Sequence, residues 1–258
     1  MPISDLRSLA AISILALSGC AYSGVTGDGE AAQAGGNAPA QEKPLAPSPN
    51  SPFIGDYNGG GFETAMGMRI AADGTFQWGL SVGALDMRAK GTWEQRGETI
   101  TLTSDPKPVA PLFRWSGLET APSGPMVKVV WASNGEPFQY ARVTVTCADG
   151  SRIQSQVRYE GWSPAPGECA DPISLRLEED IYQIFSQDYV LADLGWKPGS
   201  TMRFEFERND LGVADFTGMV GMLDGNVLKF VGGSLLGQTP QPGEMTLELR
   251  KVMPRIDE

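Results

Sequence analysis

From Phe53 onward, apolar and polar positions alternate with a period of two. Met66, Met68 and Ile70 are separated by Gly67 and Arg69. An Asp73-Gly74 pair follows, and then Phe76, Trp78, Leu80 and Val82 alternate with Gln77, Gly79 and Ser81. After Gly83 to Asp86 the pattern resumes through Trp93, turns at Arg96-Gly97, and continues as Ile100 and Leu102 between threonines. Side chains of a strand point alternately to its two faces, so each run predicts a strand with one apolar face. Asp-Gly between two such runs is a strong hairpin signal. The texture returns near the C-terminus, where Met202, Phe204 and Phe206 alternate with Arg203, Glu205 and Glu207. A turn at Asp224 to Asn226 and the runs Val227–Val231 and Met245–Leu249 complete it. No stretch carries a sustained helical period, and only Glu178–Phe185 reads as a short helix. The fold class expected is all-β.

Residues 125–198 differ in texture. Val127, Val129 and Trp131 lead to Asn134-Gly135-Glu136-Pro137. A strand then ends at Val143-Thr144-Val145-Thr146-Cys147, and Ala148-Asp149-Gly150 turns into another. This order resembles small β-sandwiches of the transthyretin-like, carboxypeptidase-regulatory-like kind. The flanking meanders loosely resemble up-and-down barrels of the lipocalin and avidin type, a closure that removes exposed strand edges. The expected architecture is a discontinuous antiparallel barrel, 53–124 plus 199–258, with a small sandwich, 125–198, inserted in it. Two consecutive β domains split near Pro122–Pro125 are the alternative.

Before these strands lie two segments without strand texture. Residues 1–19 combine a short polar start containing Arg7, an apolar run from Leu9 to Leu17 and the small residues Ser18 and Gly19, the layout of a secretory signal. The run is too short to span a bilayer. Leu17-Ser18-Gly19-Cys20 resembles the lipobox of bacterial lipoproteins, with an ordinary secretory signal as the alternative. The resemblance implies cleavage before Cys20, lipidation of that residue and attachment to a membrane through its acyl chains. Ala21 after the cysteine implies the outer membrane, facing the periplasm. Residues 20–52 hold the lipidated cysteine and a Gly/Pro/Ala-rich stretch too poor in apolar residues to offset its ordering entropy. As a flexible tether it would reach roughly 30 Å.

Composition narrows the chemistry. The 258 residues carry 20 Lys+Arg against 31 Asp+Glu, a formal charge of −11, and no histidine. An acidic chain lacks the basic face that nucleic acid requires. Without histidine there is no Ser–His–Asp or Cys–His machinery and no His-ligated metal. With Cys20 assigned to lipid, Cys147 and Cys169 remain as a pair, and an oxidising envelope favours their disulfide. Two thiolates alone make a poor zinc site, and free thiols are the other alternative. No catalytic motif, metal site or cofactor motif is found. Asp86 and Asp215, the acids most embedded in apolar strand sequence, are the candidates for a carboxylate-dependent hydrolase, with a turn-capping Asp86 and an edge-facing Asp215 as the alternative.

Phe76, Trp78, Trp93, Phe204 and Phe206 fall on the apolar phase of the expected barrel strands. In an open barrel they would line a pocket for a small apolar or amphipathic ligand; in a collapsed one they are core. Trp115, Trp131, Trp162 and Trp196 fall at strand starts and loops. The functional expectation is a lipid-anchored, non-enzymatic envelope protein that binds such a ligand. An envelope scaffold or assembly partner acting through protein contacts is the alternative, and the hydrolase the weakest.

Overall fold

A computed structural model describes residues 48–233 and 245–253. The expected signal, Cys20 and the expected tether up to residue 47 lie outside the described residues; the last residues of that tether, 48–52, are ordered instead, with Ser51 buried and its hydroxyl donating to the Gln95 side chain at 2.7 Å. The described chain is all-β. Five strands come first: β1 (Gly55–Asn58), β2 (Thr64–Ile70), β3 (Thr75–Val82), β4 (Leu85–Arg96) and β5 (Thr99–Ser104). Eight follow in the middle: β6 (Leu112–Thr120), β7 (Val127–Trp131), β8 (Ala141–Cys147), β9 (Arg152–Gln156), β10 (Pro172–Glu179), β11 (Ile184–Phe185), β12 (Tyr189–Val190) and β13 (Ser200–Glu207). The last three are β14 (Val220–Asp224), β15 (Val227–Val231) and β16 (Met245–Lys251).

Strands β1–β5 and β14–β16 close into an eight-stranded antiparallel barrel, in the order β1-β16-β15-β14-β5-β4-β3-β2. Chain order follows barrel order, with one interruption between β5 and β14. The alternation seen in the sequence places Met68 opposite Trp78, Ile70 opposite Phe76 and Trp93 opposite Leu102. All six are buried in one core with Ile100, Leu228, Phe230 and Leu249. Tight closure also needs a glycine. A Cβ on Gly91 would lie 1.9 Å from the carbonyl oxygen of Thr103, so only glycine lets β4 and β5 approach as they do.

Both ends of the barrel are stoppered. At the base, Phe53 is buried and its carbonyl accepts a 2.6 Å hydrogen bond from the Tyr57 hydroxyl. From the other side Phe216 enters the core, stacked on Phe76 at 5.9 Å and tilted against Trp78 at 5.0 Å.

The middle strands form a sandwich of two sheets. One has the order β6-β13-β7, with β13 antiparallel to β6 and parallel to β7. The other runs β11-β10-β8-β9, with β12 also paired to β10. Val127, Val129, Met202, Phe204 and Phe206 from the first sheet share a core with Val143, Val145, Leu175 and Leu177 from the second. Phe206 stacks on Phe138 at 4.3 Å. A disulfide joins Cys147, the last residue of β8, to Cys169, with Cα atoms 5.8 Å apart.

Two expectations need correcting. Strands β6 and β13, assigned from sequence to the barrel, lie in the sandwich: barrel strands occupy 55–104 and 220–251, sandwich strands 112–207. Period two says that a strand has one buried face but not which sheet it joins. Glu178–Phe185 is also not a helix. It is the end of β10, a turn and β11, because the Glu179 carboxylate accepts bonds from the Ile181 and Tyr182 amides and fixes the turn.

Burial raises the Tyr57 phenol from 10.0 to about 12. The folded state therefore holds this proton more tightly than the unfolded chain. The contribution is complete below pH 10 and is lost as pH rises toward 12. In denaturant titrations, Tyr57→Phe is expected to lower stability at neutral pH by about 1 kcal/mol, the value of its bond to the Phe53 carbonyl. The same variant is expected to flatten the alkaline loss of stability; an unchanged alkaline slope would contradict this role.

Candidate functional site

The five aromatic residues singled out from sequence are not brought together. Phe76, Trp78 and Trp93 belong to the barrel core, whereas Phe204 and Phe206 belong to the sandwich core. All five are at most 4% exposed. They pack against neighbouring side chains, and Phe206 also borders a depression of about 400 Å³ beside Trp131, Ser133, Asn134 and Arg208. Trp115, Trp131, Trp162 and Trp196 are likewise packed against the sandwich core. Asp86 accepts a hydrogen bond from Ser81 across the β3–β4 hairpin, and Asp215 accepts one from the Thr217 amide at 2.9 Å. The two acids line different depressions and do not form a carboxylate pair across a shared cleft.

The cleft that the fold does build lies at the seam between barrel and sandwich. Three segments distant in sequence make it: the linker leaving β5, the linker returning to β14, and the tip of the β10–β11 hairpin. The outgoing linker contains Pro106, Pro108 and Pro111, which restrict its backbone. The two linkers are tied together. The Val109 amide donates to the Asp210 carboxylate at 2.8 Å, the Asp210 amide donates to the Val109 carbonyl at 3.1 Å, and the Asn209 side chain donates to the Ala110 carbonyl.

The return linker is also bonded to the barrel. The Arg88 amide donates to the Gly212 carbonyl at 2.8 Å, and the Ala214 amide donates to the Arg88 carbonyl at 2.9 Å. Tyr182, at the hairpin tip, packs against the barrel core and beside Gly212. The Glu179 carboxylate that fixes the hairpin turn therefore also sets where Tyr182 stands. It is 5% exposed, and its bonds to the Ile181 and Tyr182 amides supply hydrogen-bond partners in that burial.

These segments enclose a cleft of about 630 Å³. Met87, Pro108, Ile184, Phe185, Leu211 and Val213 supply much of its wall, and Phe185 remains 51% exposed. Its polar groups are few. Burial works against the Asp215 carboxylate, but hydrogen bonds from Thr217 and Ser104 and the charge of Lys107 outweigh it. The Asp215 pKa is held below its ordinary value. Asp210 is occupied by the Val109 amide. Both acids thus serve the scaffold, and the remaining surface suits an apolar body with a polar end near Lys107. Among the described residues no group of three or more Cys, Asp or Glu side chains could hold a metal ion.

Sequence reading missed Lys107, Tyr182, Phe185 and Leu211. The clue available was the clustering of three prolines just after β5, which marks a rigid linker rather than another strand.

Gly212 has φ +79°, and a Cβ there would stand 2.8 Å from the Asp86 carbonyl oxygen. Gly225, in the β14–β15 turn, has φ +61° with open space around it. Gly225→Ala should cost only the left-handed backbone penalty, about 1 kcal/mol. Gly212→Ala should cost roughly 2–4 kcal/mol, because the steric clash adds to that penalty. Equal losses in denaturant titrations would refute the close packing at the seam. No family model matches this chain, and no curated protein or solved structure shows significant similarity to it.

Proposed function

We propose that this chain is a lipid-anchored, non-enzymatic binding protein of the bacterial cell envelope that takes a small apolar or amphipathic ligand at the seam. The carrying observation is the 630 Å³ cleft between two packed β bodies, walled by aliphatic and aromatic side chains whose neighbouring acids are already engaged. Sites for small ligands are concave, mostly apolar and favoured between packed units, with volumes of roughly 300–1,000 Å³. The ligand reading thus moves from the barrel interior, which is filled, to the barrel's junction with the sandwich.

Anchoring rests on the Leu17-Ser18-Gly19-Cys20 lipobox and the Gly/Pro-rich stretch that follows it. The barrel base, where Phe53 sits, is the end opposite the seam, where β5 leaves and β14 returns. The charge of −11 favours solubility and repulsion from anionic surfaces, leaving attachment to the lipid.

Two measurements test the reading. The neutral apolar dye N-phenyl-1-naphthylamine should bind the detergent-solubilised full chain, and Leu211→Asp should weaken it by about tenfold or more, since a carboxylate would have to be buried against the dye. Unchanged dye binding in a folded Leu211→Asp variant would overturn the seam as the site. Separately, Cys20→Ser should move the protein from the membrane to the soluble envelope fraction. Persistent membrane association of that variant would overturn the lipid anchor while leaving the cleft untouched.

A further inference from the structure

The outer wall of the barrel carries a second depression, of about 700 Å³, at the end from which the sandwich leaves. Its floor follows from strand register. Asn58, Gly67, Gly79 and Arg88 lie in one cross-strand row over β1–β4, with Asn58 and Arg88 on either side of the two glycines. The adjoining row toward the base is Asp56, Arg69, Gln77 and Lys90, all long or charged, with Arg69 ion-paired to Asp56 at 2.6 Å. The row toward the loops is Ala65, Ser81 and Asp86. The two glycines thus leave a gap in an otherwise side-chain-covered wall.

The fold does not demand glycine at either position. Neither residue has a positive φ. A Cβ on Gly67 would lie 3.5 Å from the Tyr57 carbonyl oxygen, and one on Gly79 would lie 3.8 Å from that of Met87, both ordinary contacts. This differs from Gly91 and Gly212, which close contacts require. Glycine in a strand interior costs stability, and its recurring use is to let a ligand or another backbone approach closely.

The walls supply both donors and acceptors. The Asn58 side-chain oxygen accepts the Gly60 amide at 2.8 Å, which leaves its NH₂ for an incoming group. One Asp86 oxygen takes the Ser81 hydroxyl, and the other remains as an acceptor. Arg88 enters no ion pair among the described residues, so its guanidinium donors are available. Asp86 and Arg88 balance in charge. Phe62, next to the Gly60 and Gly61 that line the same depression, is 93% exposed.

We propose that this depression is a binding site for a neutral saccharide. A pyranose ring would lay its C–H face on the glycine floor, its hydroxyls shared among Asn58, Ser81, Asp86 and Arg88, with Phe62 available to stack at the margin. A carboxylate accepts from sugar hydroxyls while amide and guanidinium groups donate to sugar oxygens, so one hydroxylated ring engages all four walls. A purely apolar ligand would leave those polar groups without partners, and an anionic one would meet Asp86. The proposal does not depend on the seam cleft.

The test is titration of the detergent-solubilised full chain with cellotriose, maltotriose and chitotriose, following the amide resonances of Gly67 and Gly79. At least one trisaccharide should shift both resonances. Asp86→Asn and Arg88→Gln should each weaken that binding by about tenfold or more, the effect of losing a charge-assisted hydrogen bond. Gly79→Val should abolish it by filling the floor, and Leu211→Asp at the seam should leave it unchanged. The proposal is overturned if no trisaccharide shifts these resonances at about 10 mM, well above the weakest affinity a functional site would show. It is equally overturned if Asp86→Asn and Arg88→Gln bind as the unaltered chain does. If Gly79→Val fails to fold, these two surface variants decide the matter.

Discussion

A barrel has no free edge only if every strand finds two neighbours along its length, and this chain breaks that condition and then repairs it. β4 runs twelve residues but β5 only six. The half of β4 nearer the sandwich, Leu85 to Lys90, therefore extends past the end of its partner. The return linker fills the vacancy by bonding Gly212 and Ala214 to Arg88, and the Asp105 amide bonds to the Lys90 carbonyl. Those bonds hold the inserted sandwich against the barrel, place Phe216 in the barrel core and form one wall of the seam cleft. Backbone groups in a buried interface must be paired, so the same requirement that closes the barrel also positions the candidate site.

The contributions of sequence and topology separate clearly in particular strands. Alternation along β2–β5 identified buried Met68, Ile70, Phe76, Trp78 and Trp93, because those strands are joined by short local turns such as Asp73-Gly74. Alternation along β13 identified Phe204 and Phe206 as buried with equal success but placed them in the wrong body. β13 pairs with β6, 80 to 95 positions earlier, and runs parallel to β7. Non-local and parallel pairings leave no trace in the period of a single strand. The cysteine pair was legible for a different reason: with one of three thiols set aside, only one intrachain bridge could be drawn.

The candidate site was not legible because none of its segments has a pattern of its own. Val109, Tyr182 and Leu211 sit in a linker, a hairpin tip and another linker, and only the folded chain brings them together. Glycines illustrate the same limit. In the sequence Gly79 and Gly212 are equivalent letters between apolar residues, and Gly91 between Lys90 and Thr92 carries no further mark. In the fold, Gly91 admits a carbonyl at 1.9 Å from where its Cβ would be, Gly212 combines φ +79° with a crowded seam, and Gly79 has room for a Cβ at ordinary contact distance and ordinary backbone angles. Each performs a different task, and only the surroundings tell them apart.

The two depressions also follow from one asymmetry of the barrel. At its base the turns after β2, β4 and β14 are short, and Phe53 seals the interior. At the opposite end the chain must leave for the sandwich and come back, so strands there have unequal lengths and side-chain rows are interrupted. Met87 borders both the seam cleft and the glycine-floored depression, and Arg88, its neighbour, bonds the return linker through its backbone while its side chain borders the outer depression. β4 therefore connects the two surfaces rigidly. Coupling between them would need an element with two discrete arrangements, and β4 is held in one by β3 on one side and by β5 and the return linker on the other, so the two depressions stand as separate surfaces.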